Sequence, residues 1–433
     1  MPFLEGNKIS DEPKLLFDKA DPSAIHSQIY WGLRNFGPYD KELTEIRLGV
    51  ICPDNVKTQV INLITDLQRG KPIFPGGMKR FFRVELTLEK IITLNSMDIQ
   101  EYQNKSLEFI YNTTNRDIDV VLIYIPKTSK YFTETAYYRC KAIFASEGYS
   151  TQMITNDLFL NLKWSYLNLA VAIFSKAGGT PWVLQDELEN TDMIMGISTS
   201  NIISKYRREG DLKRFIGFVN IFDNYGKWMF FQGTATPYSK ENLIENLKIL
   251  LNNAIIRFKS IKKYEPTNLF FHYYKKFSQI EKQRIIEILS EILPNFNVCF
   301  ISIDDSHIFR IYNKSTNDGS FPRGNYVYLN ENETLLSTTG FSTLTKYRMG
   351  TPKLLHIRAN TNNNFISLDN ITKQVFYLTR LNWATVSSIN REPVTLHYSK
   401  ELAYLTAALS ELEWKHITSS SINQLLNKKV WFI

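Results

Sequence analysis

The first half of the chain alternates short apolar runs with longer segments in which apolar residues recur at helical spacing. A short apolar run bounded by turn residues is typical of a strand buried on both faces, as in a parallel sheet. The predicted strands are IRLGVIC (46–52), IDVVLIYIP (118–126) and YSTQMIT (149–155), and the predicted helices are 55–68, 138–146 and 163–179. Asp54 or Asn55 is the predicted N-cap of the first helix, and a glycine closes the third. This alternation predicts a parallel α/β domain that extends to about residue 181.

The second half has a different pattern, because three predicted strands follow one another before any helix. Strands are predicted at 193–199, 215–223, 227–235, 268–274 and 297–303, with helices at 239–258 and 279–293. Ser239 is the predicted N-cap of the first of these helices. The order strand, strand, strand, helix, strand, helix, strand is that of an RNase H-like domain. The remaining segments are predicted as an irregular arm at 1–29, a hairpin-rich section at 304–352 and helices at 371–381, 400–412 and 421–427.

Length and composition narrow the class of protein. A chain of 433 residues suits two domains or one large one, and 43% hydrophobic with 22% charged residues is an ordinary globular composition. No run of 18 apolar residues and no secretory pattern occurs, so we expect a cytoplasmic protein that is not inserted in a membrane. Three widely separated cysteines favour a reducing compartment and argue against a zinc ribbon or a disulfide framework.

The net charge of +8 makes nucleic acid a reasonable partner, although many basic proteins bind none. Two basic clusters, KYRREGDLKR (205–214) and RFKSIKK (257–263), either contact a nucleic-acid backbone or are solvated faces. Lys176 precedes Gly178 and Gly179, and taken alone it could simply meet the carbonyl groups at a helix end.

Six short motifs occur in one order and at one spacing along residues 30–433. They are WGLRNFGPYD (31–40), YYRCK (137–141), Gln152, FSKAGGTPW (174–182), LNWATVSSINREPVTLHYS (381–399) and VWFI (430–433). Together they resemble the MID–PIWI half of prokaryotic Argonaute proteins, and the short Argonautes in particular. The resemblance implies a Rossmann-like MID domain at 30–181 and an RNase H-like PIWI domain at 182–433. The arm at 1–29 is too short for a PAZ or N domain, so a truncated form is expected.

The resemblance also implies a pocket for the 5′ end of a guide strand. In the family this pocket uses a tyrosine, a lysine four residues later, a glutamine and a second lysine. Tyr137, Lys141, Gln152 and Lys176 match that pattern, although singly they could be a surface pair, an ordinary strand residue and a helix-end lysine. A terminal phosphate carries almost two negative charges, so two lysines, an amide donor and a stacking ring suit it. The family further uses a C-terminal carboxylate, here that of Ile433. With Gln152 it would hold Mg²⁺ or another divalent cation that bridges guide phosphates.

The metal ligands of a slicing Argonaute are not at their expected places. Ser198, Tyr274 and Lys400 occupy three of the four positions, and the fourth ligand, a glutamate, cannot be placed. We therefore expect no nuclease activity. Asp304 and Asp305 could form a relocated site, or they could belong to a solvated turn with an Asx-type hydrogen bond.

The function implied is guide-directed recognition of complementary nucleic acid, most simply invader DNA, in prokaryotic defence, with an APAZ-type or other effector protein acting afterwards. The sequence does not decide between an RNA and a DNA guide. Channel residues are expected among the basic side chains Lys205, Arg207, Arg208, Lys213, Arg214, Lys346 and Arg348, with Arg358 as a further candidate. The alternatives are a homodimeric DNA-binding protein, a nuclease with a relocated site, and an unrelated α/β enzyme.

Overall fold

The computed structural model describes residues 6–113, 117–128, 132, 134–201, 215–234, 243–341, 351–387 and 389–433. Its strands are β1 (Gly6–Lys8), β2 (Leu15–Leu16), β3 (Ile25–His26), β4 (Glu45–Pro53), β5 (Gly70–Lys71), β6 (Phe74–Pro75), β7 (Glu85–Leu94), β8 (Val120–Tyr124), β9 (Ser150–Ile154), β10 (Val183–Leu184), β11 (Met193–Asn201), β12 (Phe215–Asp223), β13 (Trp228–Gly233), β14 (Asn268–Tyr273), β15 (Asn297–Asp304), β16 (Asn325–Asn330), β17 (Glu333–Leu336) and β18 (Leu355–Thr361). Its helices are α1 (Ile29–Phe36), α2 (Lys57–Arg69), α3 (Gly77–Phe82), α4 (Ile99–Tyr111), α5 (Ala136–Ser146), α6 (Asn156–Leu160), α7 (Leu162–Lys176), α8 (Leu243–Lys262), α9 (Gln279–Ile292), α10 (Leu368–Leu378), α11 (Val394–Ala407), α12 (Glu411–Thr418) and α13 (Ser420–Leu426).

The N-terminal half is built on a parallel sheet with the strand order β7-β4-β8-β9. Its central strand β8 is buried along its whole length, as its continuous apolar sequence predicts. Helices follow each strand, so the predicted Rossmann-like α/β domain is confirmed.

The C-terminal half is built on a sheet with the order β1-β16-β17-β18-β15-β14-β11-β12-β13 among the described strands. Strands β11, β12 and β13 form an antiparallel meander, whereas β14 and β15 run parallel to β11. Helix α8 leads from the meander to β14, and α9 leads from β14 to β15. The predicted RNase H-like domain is therefore confirmed.

The prediction of an irregular arm at 1–29 is wrong for the part that the structure describes. Strand β1 extends the large sheet by pairing with β16, and β2 pairs with both β3 and β10. Leu15 and Phe17 are fully buried. Burial of these two apolar side chains explains why the segment is packed against both halves of the chain.

Two local predictions also need correction. No side chain caps α2, because a 3₁₀ turn at Asp54–Val56 comes before it. The helix predicted at 400–412 is two helices, α11 and α12, since Ser410 and Glu413 form a capping box that starts a new helix. Ser239 lies outside the described residues. No helix of the described chain is long and apolar enough to cross a bilayer.

Candidate functional site

Three elements of the N-terminal domain carry the four residues predicted to bind a phosphate. Thr135 caps α5 by accepting from the Tyr138 amide, so Tyr137 stands in the first turn and Lys141 one turn later. Gln152 lies on β9, and Lys176 is the last residue of α7. The chain turns away immediately after this helix.

That turn depends on Gly178, whose φ of 107° lies in the region that disfavours side chains. The amide of Gly179 then donates to the Phe174 carbonyl at 3.0 Å, which closes the helix end. The helix carbonyls are thus met by backbone amides, and the Lys176 side chain bonds elsewhere.

The four side chains meet at one place, together with the C-terminal residues. Lys176 Nζ donates to Gln152 Oε1 at 2.6 Å. Lys141 Nζ donates to the main-chain oxygens of Trp431 at 3.1 Å and Ile433 at 3.0 Å. It also lies 5.4 Å from the centre of the Tyr137 ring. The structure therefore brings together all the residues predicted for this pocket, while their role as phosphate ligands stays a prediction.

The pocket holds two nearly buried ammonium groups, since Lys141 is 2% and Lys176 3% exposed. Burial lowers the pKa of Lys176 well below its ordinary value, and the charge of Lys141 lowers it further. Glu401, which the sequence analysis missed, opposes this effect through its negative charge. Burial raises the pKa of Tyr137, and Glu401 adds to the rise. An anion bound here would relieve the repulsion between the lysines.

The predicted cation ligands, Gln152 and Ile433, offer amide and carboxylate oxygens, which are the donor types that Mg²⁺ prefers. Each of these residues already accepts a hydrogen bond from a lysine. The donor set fits a divalent cation provided that phosphate oxygens complete it. Within the described residues, no group of three or more His, Cys, Asp or Glu side chains is arranged to hold a metal.

A second candidate site lies where strand β14 ends beside the parallel strand β11. Gly196 pairs with His272, and Ser198 and Tyr274 follow two residues later along the two strands. Helix α11 packs on β11, where Ser399 Oγ donates to the Gly196 carbonyl at 3.0 Å. The register thus places Ser198 and Tyr274 on neighbouring strands, beside the end of β14.

Lys400, on the same helix, is tied to two acidic side chains. Its Nζ donates to Glu392 Oε1 at 2.5 Å and lies 3.7 Å from Asp305 Oδ2. Arg391 lies 3.6 Å from the same Asp305 oxygen. These cations lower the pKa of Asp305 against the effect of its burial. Asp304 Oδ1 accepts from the Ser306 amide at 2.8 Å, which is the Asx-type turn considered for this segment.

Comparison with known proteins places this arrangement in a family. The Piwi domain model matches residues 120–411, more than half of the chain. The chain belongs to the Piwi domain family. It is 19% identical to the Argonaute protein of Cereibacter sphaeroides, covering 98% of this chain and 59% of that protein. It is 20% identical to the Piwi protein of Archaeoglobus fulgidus, with 95% of both chains covered.

Solved structures agree with this assignment at the level of the fold. The structure of Clostridium butyricum Argonaute bound to a guide DNA with a 5′ deoxycytidine and a 19-mer target DNA matches with a TM-score of 0.71 and 20% identity. The match covers 94% of this chain and 53% of that one. The Argonaute of A. aeolicus matches with a TM-score of 0.65. This Piwi-family chain therefore has the MID–PIWI architecture, and it spans little more than half of the Cereibacter and Clostridium proteins.

The basic residues predicted to line a channel fall into two groups, those outside the described residues and those that contact other parts of the protein. Those at 205–214, together with Lys346 and Arg348, lie outside the described residues. In the second cluster, Arg257 lies against the Phe230 ring at 4.2 Å and donates to Asn423, and burial lowers its pKa to about 10. Arg358 lies 3.7 Å from Asp304. Contacts within the protein therefore explain Arg257 and Arg358 without a ligand.

Proposed function

We propose that this protein binds a guide strand by its 5′ phosphate and uses the guide to select a complementary nucleic acid without cutting it. The observation that carries the proposal is the pocket in which Lys141 and Lys176, both nearly buried, lie beside Gln152 and Tyr137. Buried lysines in a solvent-shielded pocket are costly unless an anion offsets their charge. A dianionic terminal phosphate has the charge and the acceptor oxygens for this pocket.

Each residue has a distinct part in the proposed pocket. The two ammonium groups supply charge and donors to the phosphate oxygens, and the amide of Gln152 supplies a further donor. The ring of Tyr137 stacks on the first base, and its hydroxyl donates to the phosphate. The Ile433 carboxylate and the Gln152 oxygen would hold a Mg²⁺ ion, which would neutralise neighbouring phosphates. The Clostridium butyricum protein of the same fold is bound to a guide DNA and a target DNA, which supports nucleic acid as the ligand.

To test guide binding, the protein would be purified from cells and the nucleic acid that comes with it sequenced. We expect short strands of uniform length that carry a 5′ phosphate, and their chemistry would show whether the guide is RNA or DNA. The variant Lys141→Ala with Lys176→Ala should lose them. Strands of random length that persist in this variant would contradict the proposal.

We also propose that the Piwi domain does not cleave its target. Two-metal cleavage needs carboxylates free to coordinate both ions. Ser198 and Tyr274 offer no carboxylate, and Lys400 and Arg391 already pair with Asp305 and Glu392 within the protein. Guide-loaded protein should leave a labelled complementary strand intact in Mg²⁺ or Mn²⁺. Metal-dependent cleavage that Asp305→Ala abolishes would show a relocated active site instead.

A protein that recognises a target without cutting it needs a second activity to act on that target. We propose that an APAZ-type effector supplies this activity in prokaryotic defence, and that target binding switches the effector on. A pull-down of the guide-loaded protein from its host, with and without complementary DNA, tests this. Recovery of the bare chain as a stable homodimer under both conditions would favour the stand-alone DNA-binding alternative.

A further inference from the structure

Four arginines of the MID domain lie on α1, α2 and α3 or directly after α3, and α3 packs against both other helices. They are Arg34, Arg69, Arg80 and Arg83. Two glycines of these elements lie against arginine side chains. Arg83 Nε lies 3.1 Å from the position of a Cβ at Gly37, the residue that ends α1. The Arg80 side chain lies 2.9 Å from the place that a Cβ would take at Gly76.

Arg69 ends α2, next to the start of α3. Arg69 comes directly before Gly70, and a Cβ at Gly70 would lie 2.5 Å from the amide nitrogen of Gly77, where α3 begins. Arg69, Arg80 and Arg83 are exposed, and Arg34 is half-buried. We call these four residues the arginine face.

None of the four forms an ion pair with a carboxylate of the described chain, whereas neighbouring lysines do. Lys71 Nζ lies 2.8 Å from Asp66, and Lys79 Nζ lies 2.8 Å from Glu85. Lys71 is two residues from Arg69, and Lys79 is next to Arg80. Carboxylates therefore neutralise these two lysines, while the four arginines stay available to a ligand.

An exposed tryptophan lies beside Arg34, one member of the arginine face. Trp31 on α1 is 41% exposed, and the Arg34 guanidinium lies 5.1 Å from its ring centre. Tyr30 packs edge-on against Trp31 at 5.1 Å and against Phe81 at 5.4 Å. Phe81 is fully buried. A chain of rings thus fixes Trp31 on the core while much of its surface faces solvent.

The arginine face is separate from the pocket at Lys141 and Lys176. Helix α3 leads into β7, one edge strand of the parallel sheet, and Gln152 lies on β9, the other edge strand. Two strands lie between them, so the edge strands are about 14 Å apart. One phosphate cannot bind both sites.

We propose that the arginine face binds a single-stranded segment of nucleic acid, with Trp31 stacking on a base and the arginines on neighbouring phosphates. Guanidinium groups pair with phosphate through two parallel hydrogen bonds, and an exposed ring stacks on any base. An acidic polypeptide would satisfy the arginines but would make little use of the Trp31 ring. This combination favours nucleic acid. The proposal does not depend on the 5′-phosphate pocket.

The test uses a fluorescein-labelled, 30-nucleotide oligothymidylate with a 5′ hydroxyl group, so that the phosphate pocket contributes little. Binding to the full chain is followed by fluorescence anisotropy over a range of salt concentrations. The variant Arg69→Gln with Arg80→Gln should bind on the order of tenfold more weakly, and its salt slope should fall by about 1.4, since each lost phosphate contact on a single strand contributes about 0.7. The matched control, Lys71→Gln with Lys79→Gln, removes the same charge at positions one or two residues away and should retain the wild-type slope.

Trp31→Ala tests the stacking contact and should weaken binding on the order of tenfold, whereas Trp31→Phe should retain most of it. Thermal melting checks that each variant is folded. If the alanine variant does not fold, Trp31→Phe still tests the stacking contact. Equal slopes in the two double variants would overturn the proposal. The proposal would also be overturned if Trp31→Ala bound the oligonucleotide as the wild type does and the wild type bound polyglutamate as tightly as the oligonucleotide. That result would assign the face to an acidic protein. Failure of the wild type to prefer a 5′-phosphorylated guide would contradict the proposed function and leave this site unaffected.

Discussion

Lys176 and Lys141 illustrate how burial changes what a charged side chain can do. Each is nearly excluded from solvent and bonds to an oxygen of the protein, Gln152 for one and the C-terminal residues for the other. A phosphate beside them would add acceptor oxygens and negative charge while these protein contacts hold both side chains in place. A surface lysine, already hydrated, would gain much less from the same contact.

At the scale of one residue, the buried side chain of His272 makes the stability of the protein depend on pH. Its Nδ1 lies 2.8 Å from Thr395 Oγ1 and its Nε2 lies 3.1 Å from Gln374 Oε1. Because the glutamine oxygen can only accept, Nε2 carries the proton in the neutral ring. Burial lowers the pKa of His272 to about 4. The unfolded chain, with a pKa of about 6.5, therefore binds more protons between these values, and stability falls as the pH drops through this window.

We expect His272 to account for a loss of about 3 kcal/mol in the free energy of unfolding between pH 6.5 and pH 4. His272→Leu should be less stable than the wild type at pH 7, because Thr395 and Gln374 lose their partner, but its stability should change less on acidification. Urea unfolding at pH 7 and pH 4.5 measures both effects. His416→Asn, at an exposed position, should keep the wild-type pH dependence. Parallel pH profiles for wild type and His272→Leu would show that His272 does not titrate in this range.

At the scale of the element, the N-terminal segment is held by an unusual buried ion cluster. Glu12 lies 2.9 Å from Arg323 Nε and 3.5 Å from Arg380 Nη1. The side chains of both arginines are at most 1% exposed. One carboxylate thus serves two buried cations from different parts of the C-terminal domain.

Glu12→Gln should destabilise the protein by about 3–5 kcal/mol, because it removes the negative charge that two buried guanidinium groups share. The control Asp11→Asn changes the neighbouring exposed acid and should cost less than about 0.5 kcal/mol. Urea unfolding followed by tryptophan fluorescence compares them. Equal midpoints would mean that the cluster does not hold the segment in place.

Elements differ in how well the sequence predicts them. Strand β8 is found from its continuous apolar run, since it is buried on both faces. Strand β7, ELTLEKIITL, is not, because an edge strand mixes exposed and buried positions. Strand β1, GNK, has no apolar pattern at all and depends on pairing with β16. The break between α11 and α12 did leave a signal, the spacing of Ser410 and Glu413.

At the scale of the whole molecule, the C-terminal residues connect the two domains. Phe432, 1% exposed, packs against Trp228 at 5.9 Å and Tyr398 at 5.5 Å in the Piwi domain. The main-chain oxygens of Trp431 and Ile433, on either side of Phe432, accept hydrogen bonds from Lys141 in the MID domain. The sequence motifs predict the members of this pocket, because their order is that of a known family. The burial of the pocket and the electrostatic effect of Glu401 on it depend on long-range packing, which no local sequence pattern predicts.

Phe432→Ala should therefore reduce both stability and guide binding. Loss of the buried ring should cost about 3–5 kcal/mol. Displacement of the oxygens that hold Lys141 should also weaken the preference for a 5′ phosphate. Thermal melting and guide-binding assays on one preparation measure the two effects. Leu412→Ala, at a position that is 73% exposed, should change neither. A destabilised variant with an unchanged phosphate preference would separate the C-terminal residues from the pocket.

The most direct test of the 5′-phosphate pocket compares the affinity of the protein for one guide with a 5′ phosphate and for the same guide with a 5′ hydroxyl. We expect the wild type to bind the phosphorylated strand at least tenfold more tightly, which corresponds to about 1.4 kcal/mol. Lys141→Ala with Lys176→Ala should bind both strands alike, with the affinity for the hydroxyl strand nearly unchanged. If the wild type binds the two strands equally, the buried lysines do not form a 5′-phosphate pocket.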